Sequence, residues 1–141
     1  MTREEYIENI HSFFDFFNQM KLQEVSEFFV KDGKVFLPYH VGLFPSETIG
    51  KKNIYESWNG FAVNFDEIKF LIKEIMPFED PNKVAVKLTG KLKYKTKAGY
   101  YENNYFFIFS FDENGKILEL LEYFNPVLAA RAFDMMDKIC K

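Results

Sequence analysis

The stretch that decides the fold runs Val84-Ala85-Val86-Lys87-Leu88-Thr89-Gly90-Lys91-Leu92-Lys93-Tyr94-Lys95, then Thr96-Lys97-Ala98-Gly99, then Tyr100-Tyr101-Glu102-Asn103-Asn104-Tyr105-Phe106-Phe107-Ile108-Phe109-Ser110-Phe111. Val86, Leu88, Leu92 and Tyr94 alternate with Lys87, Lys91, Lys93 and Lys95. That period of two marks a half-buried strand with one solvated face. The Lys row carries no Arg and no outward aromatic residues, so it reads as a face that discourages edge pairing. Thr96 to Gly99 reads as a hairpin turn. With the turn centred on Lys97-Ala98, Leu88 falls opposite Phe107 and Gly90 opposite Tyr105. Gly90 then leaves room for the Tyr105 ring or marks a bulge that bends the sheet. A bent sheet wrapped around helices encloses a cavity.

Working outward, Asp112-Glu113-Asn114-Gly115 predicts a second hairpin into a strand over Lys116–Phe124. Asn125 caps a last helix with Pro126 at its first position, running to about Ile139. On the other side, Ile68–Phe78 reads as a strand, and Glu79-Asp80-Pro81-Asn82 as a turn. Ile54, Trp58 and Phe61 share one face of a helix over Lys51–Ala62. Residues 39–50 read as loop, with a short strand at Val41–Phe44. Thr2 and Glu5 form a capping box. Tyr6, Ile10, Phe13, Phe14 and Phe17 then make an apolar stripe through about Met20. A short helix through Leu22, Val25, Phe28 and Phe29 follows, stopped by Lys31-Asp32-Gly33-Lys34 with Gly33 in a left-handed turn. Val35–Leu37 begins a strand that Pro38 ends. The pattern predicts an α+β fold: a cone-shaped, curved antiparallel sheet around three helices of the N-terminal half, with a C-terminal helix, in one domain over residues 1–141.

Composition bounds the function. The 141 residues include 18 Phe, 8 Tyr and 1 Trp, enough rings to fill a core and also to line a pocket or an interface. Eighteen basic residues stand against 21 acidic ones, and Arg occurs only at Arg3 and Arg131. Nucleic acid is therefore not an expected partner. Cys140 is the one cysteine, and His11 and His40 are the two histidines, so neither a disulfide nor a metal site is expected. No cofactor signature is present. No apolar run reaches the roughly 20 residues of a membrane span, and Met1-Thr2-Arg3-Glu4-Glu5 is unlike a basic signal peptide. These features predict a cytoplasmic protein with no membrane association.

Three stretches carry a family resemblance: Glu79-Asp80-Pro81-Asn82; Gly99 to Tyr105 running on to Ser110-Phe111 and Glu113-Asn114-Gly115; and Glu122-Tyr123-Phe124-Asn125-Pro126. They resemble the nuclear transport factor 2-like superfamily, with its ketosteroid isomerases and SnoaL-like polyketide cyclases. The likeness is closest to the phenazine-biosynthesis A/B family. The resemblance implies a pocket on the concave face and a homodimer through the outer face of the sheet. It also implies a glutamate proton donor at Glu122. The family's histidine falls at Leu71, which cannot transfer a proton. The ketosteroid isomerase groups fall at Leu37, Phe13 and Phe107, so steroid isomerisation by that mechanism is not expected.

Leu118, Leu120, Glu122 and Phe124 share one face of their strand, and Ile117, Glu119, Leu121 and Tyr123 the other. The pattern alone leaves both orientations open, and the resemblance turns Glu122 inward. A carboxylate among rings is poorly solvated, which raises its pKa toward that of a general acid. His40, beside Tyr39 in the loop after the first strand, suits a second proton-transfer role. Trp58, Leu71, Asn103, Tyr105 and Phe107 complete the expected pocket, with Glu47 and Asn59 at its mouth. Phe106, Ile108, Ile117 and Leu121 point away from it. Four such side chains make a poor solvent face, and this predicts a homodimer independently of the resemblance. Three readings remain at this level: an acid–base enzyme acting on an apolar cyclic carbonyl compound, a binding module for an apolar small molecule, and a structural dimer whose cavity is filled by its own Phe side chains.

Overall fold

The computed structural model describes residues 1–140. Its elements run α1 (Arg3–Asn18), α2 (Leu22–Ser26), β1 (Phe29–Phe36), β2 (Glu47–Ile49), α3 (Lys51–Ala62), β3 (Phe65–Pro77), β4 (Lys83–Tyr94), β5 (Tyr100–Phe111), β6 (Ile117–Phe124) and α4 (Pro126–Ala132), with a 3₁₀ turn at Met136–Lys138. The six strands form one sheet in the order β2-β1-β6-β5-β4-β3. All pairings are antiparallel except β1 with β6, which is parallel. The sheet is therefore mixed, where a wholly antiparallel one was expected. The β1–β6 partnership joins segments far apart in the chain, Phe29 with Ile117 and Phe36 with Leu121, so no hairpin signal announces it.

The local signals at the helix starts are realised. Thr2 and Glu5 make both bonds of the capping box, and the Asn125 side chain accepts from the amides of Val127 and Leu128. At the turn before β6, Asp112 Oδ1 accepts from the amides of Asn114 and Lys116. The Tyr6 hydroxyl and the Asn9 amide bond the carbonyls of Asp112 and Gly115, pinning α1 to that hairpin. At its other end α1 is tied to the edge strand β3. The Asn18 side chain accepts from Phe70 N at 2.7 Å and donates to Phe70 O at 3.0 Å, pairing with it as a neighbouring strand would.

Phe13, Phe14 and Phe17 all face the concave side of the sheet and are buried. The Phe13 ring meets Phe28, Phe29, Trp58 and Phe109 edge-on at 5.4–6.4 Å. Such pairs add to the apolar burial itself, by about 0.5–1.5 kcal/mol each.

Several boundaries differ from expectation. The strand β1 begins at Phe29 and runs through Gly33, so Lys31 to Lys34 is not a helix stop. Gly33 lies where the β1–β6 register shifts, and a Cβ there would meet Phe29 Cδ2 at 2.9 Å. Residues 41–44 form a turn, with positive φ at Val41 and Gly42, and the short strand lies at Glu47–Ile49 instead. The final helix stops at Ala132, and Asp134 takes φ 54°. The β4–β5 register places Leu88 opposite Tyr105 and Gly90 opposite Asn103. That is two residues from the expected pairing, because the turn tightens toward Thr96-Lys97. An even slip leaves every side chain on its predicted face. Gly90 still accommodates the Tyr105 ring: a Cβ there would stand 2.9 Å from both Tyr105 Cε2 and Phe70 Cε1.

Candidate functional site

The inward row of β5 is Tyr101, Asn103, Tyr105, Phe107, Phe109 and Phe111, all buried. Helix α1 covers only its far half. Tyr6 stacks on Phe111 at 5.0 Å, Phe13 meets Phe109 at 5.4 Å and Phe14 meets Phe107 at 5.6 Å. The near half faces a cavity of about 310 Å³, the size of a small-ligand site. Phe17, Trp58 and Phe61 wall it from the helices, Phe70, Phe107 and Phe124 from the sheet, and Phe44 and Phe133 from the connecting segments. The eighteen Phe side chains therefore do not fill the interior.

Glu122 projects into this cavity from β6, opposite Phe107 on β5 and between buried Leu120 and Phe124. Its carboxylate has no hydrogen-bond or ion-pair partner among the described residues, and no Lys, Arg or His lines the cavity. Glu122 is half-buried, not sealed: it borders open space, but ring-lined walls remove its hydration. Desolvation raises its pKa from 4.5 to about 7, which penalises the charged form.

Beside it are two phenols. Asn103 Nδ2 donates to Tyr101 Oη at 2.6 Å, and Tyr105 Oη lies 3.5 Å from Tyr101 Oη, at the limit of a hydrogen bond. Burial pushes the Tyr105 hydroxyl well above its ordinary pKa, and the Tyr101 hydroxyl above it as well; the nearby Glu122 charge adds to both. The Asn103 amide is fully engaged. Its Oδ1 accepts from the amides of Asn104 and Asn125, and its Nδ2 also donates to Asn125 O.

The structure thus brings together Glu122, Trp58, Tyr105 and Phe107, with Asn103 directly behind them. It separates the others. Leu71 is 48% exposed on the outer side of β3, because Phe70 takes the inward position. Tyr39 is exposed and packs edge-on against Tyr123, 5.2 Å away, on the outside of β6. His40 lies in the same turn, its Nδ1 accepting from Gly42 N at 3.1 Å, and is not part of the cavity wall. Glu47 is exposed on β2, and Asn59 does not line the cavity. On the expected dimer face, Phe106 is 37% exposed while Ile108 and Leu121 are half-buried. Ile117 is 1% exposed and belongs to the core, since the register shift beside Phe111 turns it inward. Tyr101 was missed by sequence reasoning, although it shares the odd-numbered face of Asn103, Tyr105 and Phe107. Phe133 was missed because the early end of α4 redirects it. Among the described residues no three His, Cys, Asp or Glu side chains cluster as metal ligands, and no helix is long and apolar enough to cross a membrane.

A curved, unclosed sheet wrapped around helices, with an acidic group in an aromatic hollow, defines the cone architecture of the nuclear transport factor 2-like type. The SnoaL-like domain model matches residues 10–120, and the chain belongs to that family. Solved structures agree. A putative isomerase from Bacillus subtilis superposes with TM-score 0.85 at 18% identity, covering 96% of this chain and 97% of that one. A phenazine biosynthesis-related protein from Pseudomonas aeruginosa gives 0.78 at 26% identity, covering 94% and 83%. The BvnE pinacolase from Penicillium brevicompactum gives 0.83 at 14% identity, covering all of both chains. No curated protein matches the chain in sequence.

The Glu122 environment has a thermodynamic consequence. The unfolded chain loses this proton near pH 4.5, while the folded protein holds it to about pH 7. Between those values the native state binds more protons, so stability falls as pH rises and levels off above 7. The full effect is up to ~3 kcal/mol, less what cavity water returns. Glu122→Gln should remove this slope. Relative to wild type, its Tm at pH 8 should gain roughly 4–10 °C over any difference seen at pH 4.5, measured by calorimetry. Parallel profiles for the two proteins would contradict the assignment.

Proposed function

We propose that this protein is an acid–base enzyme in which Glu122 moves a proton on an apolar, cyclic carbonyl compound held in the aromatic cavity. The reaction class is isomerisation, cyclisation or condensation. The observation that carries this reading is an unpartnered carboxyl, poised near neutral pH, within reach of no cation and in the same cavity as two phenols. A general acid or base works best when its pKa lies near the working pH. The apolar walls suit a ligand of matching polarity and exclude bulk water. The resemblance to an isomerase and a pinacolase agrees with chemistry of this kind on this fold, although a fold by itself never fixes a reaction. His40 takes no part in the proposed step.

One observation favours a second reading, a non-catalytic binding module. The position of the phenazine family's histidine, Leu71, is on the outer surface, and His40 is outside the cavity, leaving Glu122 without an imidazole partner. Under either reading the protein is proposed to be cytoplasmic and to work as a homodimer. The outer sheet face, with Phe106, Ile108 and Leu121 joined by Tyr123 in place of Ile117, supports the pairing.

Two measurements test these readings. In D₂O, 2-tetralone should exchange its α-protons faster with protein than in buffer. The rate should rise with pH through about 7 as the carboxylate forms, and fall by on the order of 10²–10⁴ in Glu122→Gln. Ketone that binds without accelerated exchange establishes the binding module instead, and ketone that neither binds nor exchanges defeats both. Sedimentation velocity at micromolar concentration should give a dimer that Phe106→Lys dissociates; a wild-type monomer would overturn the proposed interface.

A further inference from the structure

Tyr101 and Tyr105 carry two phenolic protons between them. One lies in the contact joining the two oxygens, 3.5 Å apart. Neither hydroxyl donates to any other group among the described residues, yet both border the cavity. One proton is therefore left over at the cavity wall, whichever way the pair is oriented. The contact runs from the Tyr105 hydroxyl to Tyr101 Oη, and Asn103 holds the accepting oxygen in place. Its Nδ2 donates to Tyr101 Oη at 2.6 Å, occupying a lone pair there. The amide cannot flip to present its oxygen instead, because Oδ1 is held by two backbone amides at 2.7 and 3.0 Å. Tyr101 Oη accepts from Asn103 on one side and from the Tyr105 hydroxyl on the other. Its own O–H is the free one, and a phenol that accepts hydrogen bonds is the stronger donor.

We propose that Tyr101, positioned by Asn103, donates a hydrogen bond to the carbonyl oxygen of the ligand in the cavity that Glu122 occupies. The inference rests on the reading of that cavity as a ligand site. It narrows the ligand to a neutral molecule with one oxygen acceptor at the β5–β6 end and an apolar body against Trp58 and Phe17. No cation is present to balance a ligand carboxylate, and an ionised Glu122 would repel one. It also gives the oxygen a role. When the Glu122 carboxylate removes a proton from the carbon beside the carbonyl, the C–H electron pair moves into the enolate and negative charge gathers on oxygen. A fixed donor there stabilises that charge.

The test uses 2-acetylnaphthalene labelled with ¹³C at its carbonyl, bound to the whole protein and read by difference infrared spectroscopy at pH 9. At that pH Glu122 is ionised and cannot donate, while the burial-raised Tyr101 keeps its proton. In the wild type the carbonyl stretch should lie below its value in hexane. In Tyr101→Phe it should return to the hexane value, and the ketone should bind about five- to tenfold more weakly. Tyr105→Phe should keep the low stretch. A bound ketone with the hexane frequency in the wild type overturns this inference alone, whether or not the variants fold. A shift lost in Tyr105→Phe and kept in Tyr101→Phe also overturns it, by making Tyr105 the donor. Failure of the ketone to bind the wild type overturns the ligand-site reading together with it.

Discussion

Helix α1 covers only half of the concave row of β5, and the stability and the site both follow from that partial cover. The inward row of β5 changes character along its length, from Phe107, Phe109 and Phe111 to Tyr101, Asn103 and Tyr105. The Phe half is where Tyr6, Phe13 and Phe14 pack, in ring contacts of 5.0–5.6 Å. The Tyr half is instead bordered by Phe61 and Phe133, 6.4 and 5.5 Å from Tyr101, with the cavity between them and Glu122. The filled end carries most of the largest buried side chains, Phe13, Phe29, Phe109 and Phe111, while Phe65 stacks under Tyr101 at the other end. The hollow end keeps polar groups that a solid core would exclude.

The chemistry grows from that division. Rings around the hollow withhold water from Glu122, and nothing nearby compensates its charge. The same apolar walls that hold an apolar ligand therefore tune the acid. Behind the cavity, the Asn103 amide spends all its bonds on Asn104, Asn125 and Tyr101. This ties the C-terminal end of β6 to β5 through a side chain, and fixes one wall of the site to the two central strands of the sheet. The Asn125 side chain at the same point caps α4, so the start of the last helix and the back of the site share one junction.

Much of this was legible in local sequence. Alternation over β4 and β5 assigned faces correctly even though the register was two residues out, because an even slip preserves the side of every residue. That is why Tyr105 and Phe107 were found; Trp58 came from helical spacing, and Glu122 from the family resemblance, since the alternation of β6 left both of its faces open. The α1 stripe and both helix caps were likewise written in adjacent residues. What was not legible depended on distant partners. The parallel β1–β6 pairing turned an apparent helix stop at Lys31–Lys34 into strand. The register shift at Phe111 moved Ile117 from the outer face into the core, against strict alternation. Leu71 was placed by counting along a resemblance, and a count does not register which face of β3 a position takes. His40 was favoured for its residue type; the turn at Tyr39–Gly42 carries it away from the cavity.

The chemistry proposed for the cavity requires its single carboxyl to titrate near neutrality. The most direct measurement is carbon-detected NMR of the protein labelled with ¹³C at the glutamate side-chain carboxyls, followed across pH 3–9. One resonance, absent in Glu122→Gln, should titrate with a midpoint of about 7, well apart from the remaining glutamates. A Glu122 resonance that moves with the others, in the ordinary carboxylate range near 4.3, would contradict the account.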